Sequence, residues 1–151
     1  MALATVPNDE LRLRLGVKPG QKVCLFRAPK HLLPLFLTGD LQLTLDWVES
    51  DADVIVYWLQ PQDDVVGIMV NLERMIKRNG RIWLFVSQPE TDRQQDYAEH
   101  WEAVKQAVLE ATALIENKVL FLSNSECGTQ FMPKKAVREK TGAEGASEPC
   151  D

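Results

Sequence analysis

The chain has 151 residues, 45% of them hydrophobic and 26% charged, with 22 Asp and Glu against 17 Lys and Arg, for a formal net charge of -5. That length fits one domain burying about 70% of the surface its unfolded chain exposes, and the composition is that of a globular protein. A net negative surface repels phosphate backbones, which counts against nucleic acid as a partner, and no run reaches the ~18 apolar residues that would span a bilayer.

The opening, Met1 to Pro7, has neither a basic n-region nor a long apolar h-region, so it does not read as a signal peptide. Asn8 to Gly16 reads as a short helix that Asn8 caps and Gly16 ends. In the turn that follows, Pro19 fixes φ and Gly20 takes the positive φ of a type II turn. Lys22 to Phe26 is apolar after Lys22, as a strand covered on both faces should be. Pro29 is expected to open a short helix through Lys30, His31, Leu32 and Leu33, limited by Pro34. Leu41 to Val48 alternates, with Leu41, Leu43, Leu45 and Trp47 on one face, and reads as a half-exposed strand near the sheet edge.

Asp53 to Leu59, β-branched and aromatic through its middle, is the strongest strand. Pro61 suits the first position of a helix running to about Asn79, with Val65, Ile68, Met69, Leu72, Met75 and Ile76 as its apolar stripe. Gly80 ends that helix and Arg81 to Val86 is a buried strand. After a polar loop from Ser87 to Asp96, Tyr97, Trp101, Val104, Val108, Ala111 and Ile115 mark a long amphipathic helix ending near Asn117. Lys118 to Leu122 and Gly128 to Met132 are the last strands. The few residues between them force an antiparallel hairpin, because a parallel pair needs a crossover of a dozen residues or more. Residues 1–133 therefore form one domain. Residues 134–151 lack apolar periodicity and are expected to be a disordered tail.

Strands alternating with helices predict an α/β domain with a doubly wound, mostly parallel sheet of about six strands and a C-terminal antiparallel hairpin. Trp58, Trp83 and Trp101 read as core aromatics. Cys24, Cys127 and Cys150 have no paired spacing, and their odd number, with Cys24 inside a strand, points to reduced thiols in a cytoplasmic setting.

The run Leu15-Gly16-Val17-Lys18-Pro19-Gly20-Gln21-Lys22-Val23 resembles the lead-in to the first strand of S-adenosylmethionine-dependent methyltransferases. Asp51 to Val56 looks like their fourth strand, and Asn71 to Val86 like their helix, glycine turn and fifth strand. The resemblance covers roughly residues 11 to 133 and implies a Rossmann-like fold of methyltransferase-like strand order, about one helix-strand unit shorter than a full enzyme. Leu15 to Gly20, Pro29 and Gly80-Arg81-Ile82-Trp83 also resemble a family of small bacterial proteins grouped as a domain of unknown function. In that family a proline-lysine pair follows the late strand, where this chain has Ser87-Gln88-Pro89-Glu90. The second resemblance implies a fold and no established activity.

A glycine-rich loop after the first strand lets backbone approach a nucleotide cofactor. Here that loop is Arg27-Ala28-Pro29-Lys30-His31, without glycine, so no resident cofactor is expected and no catalytic residue is assigned. The loop lies at the carboxyl end of a central strand, where open sheets bind ligands. Arg27 and Lys30 could join a helix dipole in holding an anion, and His31 could add a contact. Glu49, with Asp46 just before it, stands where an acidic residue would meet ribose hydroxyls, and Gln60 follows the third strand. The candidate ligand site is therefore Arg27, Pro29, Lys30, His31, Glu49 and Gln60. His31 and His100 lack ligand partners at i+3 or i+4, so no metal site is expected. The reading is a non-catalytic domain that binds a partner protein or a small anionic ligand. The alternative is a divergent S-adenosylmethionine-dependent methyltransferase or another nucleotide-cofactor enzyme. The missing unit should leave an edge poorly covered and favour self-association or a stable partner.

Overall fold

The computed structural model describes residues 8–47, 50–60, 62–87, 94–123 and 126–134. In chain order the elements are α1 (Asn8–Leu15), β1 (Lys22–Phe26), a 3-10 turn (Leu33–Leu35), β2 (Gln42–Leu45), β3 (Ala52–Trp58), α2 (Val65–Met75), β4 (Ile76–Ser87), α3 (Gln94–Ala111), β5 (Leu114–Ser123) and β6 (Glu126–Pro133). The strands form one six-stranded sheet in the order β2-β1-β3-β4-β6-β5. β1, β2, β3 and β4 pair in parallel, and β6 is antiparallel to both β4 and β5. The expected doubly wound, mostly parallel sheet and its closing antiparallel hairpin are both present.

Strand alternation divides the core. On one face Val23, Leu25, Val54, Val56, Trp83 and Phe85 pack with Leu11 and Leu15 of α1 and with Phe36. The Trp83 indole N–H donates to the Leu15 carbonyl at 2.9 Å, which ties α1 to the middle of the sheet. On the other face Cys24, Ile55, Ile82 and Leu84 pack with Met69 and Leu72 of α2 and with Trp101 and Val108 of α3. Cys24 and Cys127 are buried, and Cys150 lies outside the described residues. Gly20 has a φ of 87° in the expected turn, closed by the Gln21 N–H on the Lys18 carbonyl at 3.2 Å.

Three expectations are corrected. The short helix expected from Pro29 is not α-helical; i→i+3 turns starting on the Pro29 carbonyl lead into the 3-10 helix Leu33–Leu35. Pro34 has no N–H with which to continue a helical ladder. The helix expected to run to Asn79 stops at Met75, and Ile76 is extended (φ -87°, ψ 146°) and pairs with Ala52. Gly80 is therefore no helix terminator. A Cβ there would lie 2.7 Å from the Ile76 side chain and 2.9 Å from the Asp53 carbonyl, so glycine permits a close approach inside β4. β5 likewise begins at Leu114, which takes Ile115 out of the expected helical stripe and into a strand. The expected first helical residue Pro61, the tail from Lys135 onward and most of the loop from Ser87 to Asp96 lie outside the described residues.

β2 is the edge strand expected, but it is only four residues long. Asp46 takes a φ of 63°, which breaks the alternation before Trp47 and leaves Leu45 and Trp47 exposed. Residues 46–51 then lead to β3 on the far side of β1. The Thr44 hydroxyl donates to the Trp47 carbonyl at 2.8 Å and the Lys22 ammonium to the Ser50 carbonyl at 3.2 Å. Both donors stand on the Cys24 side of the sheet, so the link is fastened across the α2 face. Six residues, 46–51, separate β2 from β3.

Candidate ligand-binding cleft

β3 ends at Trp58, and the Leu59 N–H still reaches the Phe85 carbonyl at 2.8 Å, so β3 and β4 stay together past the formal strand end. The chain then turns on Asp63. Its N–H donates to the Gln60 carbonyl at 3.0 Å, and its Oδ2 accepts the Gln60 N–H at 2.8 Å. Asp64 caps α2 by accepting the Gly67 N–H at 3.2 Å. Two consecutive carboxylates are thereby fixed at the carboxyl end of the sheet by the requirements of a turn and a helix cap.

Between the start of α2 and the facing side of α3 lies a cleft of about 960 Å³. Leu59, Val65, Val66, Val86, Trp101 and Val104 give it apolar walls, while Gln60, Asp63, Asp64 and His100 supply its polar groups. That volume and that balance are those of small-molecule sites. His100 is exposed and Trp101 is buried, so the cleft has an open rim and an aromatic wall on one turn of α3.

Asp63 also meets the loop after β1. Its Oδ2 receives Arg27 Nη1 at 2.6 Å, and the Asp63 side chain is only 8% exposed against 38% for Arg27. The Arg27 guanidinium lies over the Tyr57 ring, 5.6 Å from its centroid, and Tyr57 stacks on Phe26 at 4.8 Å. Arg27 holds this pose from a left-handed backbone, φ 62°, fastened by its N–H on Asp46 Oδ1 at 2.9 Å. Burial pushes the Asp63 carboxyl up, but the bonds from Arg27 and the Gln60 N–H outweigh it and hold the group below the ordinary carboxylate range. The bond to Asp63 in turn keeps Arg27 protonated above its ordinary value. Burial raises the Tyr57 phenol, so it stays neutral beneath the guanidinium.

Of the residues expected to line a site, Gln60 does so, and Arg27 reaches the cleft through Asp63. Pro29, Lys30 and His31 follow in the same loop but do not line the cleft; Lys30 and His31 are exposed. Glu49 lies outside the described residues. No α-helix begins at this loop, and Arg27 is paired with a carboxylate. Asp63, Asp64, His100 and Trp101 were not legible as a site. The one available signal was a pair of carboxylates directly after the strongest strand. Its partners stand on α3, about forty residues onward, and only packing brings them near. Among the described residues no three metal-ligating side chains cluster.

No family model and no curated protein matches the sequence, so the likeness to the small bacterial proteins rests on the residues quoted above. Solved structures do match in fold. An S-adenosylmethionine-dependent methyltransferase from Aquifex aeolicus superposes with a TM-score of 0.62 at 13% identity, over 85% of this chain and 90% of the other. A fibrillarin in complex with Nop5p gives 0.55 at 11% identity, over 78% and 74%. A TehB-like S-adenosylmethionine-dependent methyltransferase from Corynebacterium glutamicum gives 0.50 at 10% identity, over 85% and 88%. The chain has the methyltransferase-like Rossmann fold.

Proposed function

We propose that the chain binds S-adenosylmethionine or a related cationic adenosyl compound, as a divergent S-adenosylmethionine-dependent protein. The observation that carries this reading is the acidic, apolar-walled cleft at the carboxyl ends of β3 and β4. A sulfonium or amino cation is favoured beside Asp63 and Asp64 and an anion is not. A purine finds apolar contact along Trp101, Val65, Val66 and Val104. The solved methyltransferases of the same fold name the compound to try first. The glycine-free loop after β1 counts against binding by backbone close approach, so the reading moves the ligand toward α2 and α3.

Differential scanning with added S-adenosylmethionine tests it. Ligand at ~100 times its dissociation constant should stabilise by about 2.7 kcal/mol, a rise of several degrees for a domain of this size. No rise at millimolar S-adenosylmethionine or S-adenosylhomocysteine overturns the reading.

A second reading, a domain that works by holding a partner protein, is favoured by exposed Leu37, Leu45 and Trp47 near the open β2 edge. Its test is co-purification with the chain, and loss of the partner on Trp47→Glu.

A further inference from the structure

We infer that Tyr57 and Asp63 form a binding subsite for a cationic group, and that Arg27 of the chain itself occupies it as a built-in substitute ligand. The inference deepens the reading of the cleft as a ligand site and rests on it.

The subsite has the two components that recognise an organic cation. One is a carboxylate withdrawn from water: Asp63, 8% exposed, wired by the Gln60 N–H. The other is the face of an aromatic ring, Tyr57, itself steadied by stacking on Phe26. A cation over a ring and against a desolvated carboxylate gains from both. A buried carboxylate left without a cation is costly, so in the absence of ligand some positive group must be present.

Arg27 supplies it on unusual terms. The residue adopts φ 62°, a region that disfavours side chains, and more than a third of its side chain remains in solvent. A core ion pair would enclose both partners. Here the Asp63 side chain is 8% exposed and the Arg27 side chain 38%, so Arg27 approaches from the solvent side and leaves by giving up the Asp63 pair and its place over the Tyr57 ring. Asp63 also lines the cleft, so a cation entering from the α2–α3 side reaches the same carboxylate that Arg27 holds from the β1 side. Among the described residues, the bonds from Arg27 and from the Gln60 N–H to the Asp63 carboxylate both fall on Oδ2. The consequence is competition. Ligand binding displaces the Arg27 side chain from Asp63 and from the Tyr57 ring when the cleft fills.

The probe is methylguanidinium, the head of the arginine side chain, at millimolar concentration, followed by the amide and ring NMR signals of Tyr57 and Asp63. Wild-type protein should be silent, because Arg27 already holds the subsite. Arg27→Gly, which suits the left-handed backbone, and Arg27→Gln, which is polar but uncharged and stops short of the guanidinium, should each bind methylguanidinium, and adding Asp63→Asn to either should abolish it. Silence of both folded Arg27 variants overturns the inference, as does binding that persists with Asp63→Asn. S-adenosylmethionine is titrated in parallel. A self-occupied site lowers apparent affinity by the fraction occupied, so Arg27→Gly should tighten binding about three- to tenfold. If no protein binds S-adenosylmethionine but the Arg27 variants bind methylguanidinium, the cofactor reading fails and the cation subsite stands.

Discussion

At the scale of single residues, Arg27 sets two opposed terms against each other. A left-handed backbone costs a non-glycine residue about 1 kcal/mol or more. The N–H bond to Asp46 and the ion pair to Asp63 offset that cost. Arg27→Ala keeps the strained backbone and loses the pair, while Arg27→Gly loses both. The glycine variant should therefore be the more stable of the two by about 1 kcal/mol, a melting difference of ~2 to 4 °C. Equal melting temperatures would show the backbone to be unstrained. Asp63 gives a pH dependence with a definite sign. Its folded-state pKa lies below the unfolded one, so its contribution is complete above the unfolded value and is lost as pH falls through the folded value. The titratable groups that act on it are Arg27 and Tyr57, and neither titrates in this acid range. Asp63→Asn should therefore flatten the fall of melting temperature below about pH 4, where carboxylates titrate. An unchanged acid limb in the variant would refute the assignment.

At the scale of elements, β6 meets β4 closely. Gly128 faces Phe85 across the pair, and a Cβ there would run into the Phe85 ring. Gly128→Ala should cost about 1 to 3 kcal/mol, as overpacking does, and Phe85→Leu should relieve part of that cost in a double-mutant cycle read by urea denaturation. Additive effects would mean the two do not press on each other. The elements also show what could be read in advance. Each buried strand was recognisable because continuous apolar runs between turn residues leave few alternatives, as in Asp53 to Leu59. The hairpin followed from chain length alone. Element ends were harder, because Ile76 and Ile115 continue a helical stripe yet pair as strand residues with Ala52 and Met132. Periodicity cannot see that competition, which the sheet wins by pairing both residues' main chains with a neighbouring strand. The loop after β1 was misread for a local reason, since a proline that can open a helix was followed by one that stops it. The candidate site was legible only as Gln60 and the Arg27 loop, since its other wall comes from α3.

At the scale of the molecule, β2 is an open edge, with Leu37 60%, Leu45 40% and Trp47 53% exposed nearby. The opposite edge strand β5 exposes Val119 and Phe121. Light scattering at ~100 μM should report a mass above that of one chain, since interfaces of standard size persist well below that concentration. A clean monomer would leave these edges as tolerated exposure. The central claim is that the cleft between α2 and α3 is the ligand site, and calorimetric titration with S-adenosylmethionine tests it most directly. Three proteins are compared: the wild type, Val104→Trp, which fills the cleft from α3, and Lys30→Ala, in the exposed loop that does not line it. The account predicts saturable heat for the wild type and for Lys30→Ala, and a loss of at least about tenfold in affinity for a folded Val104→Trp, or ~1.4 kcal/mol. No heat from the wild type, or undiminished binding by Val104→Trp, would contradict it.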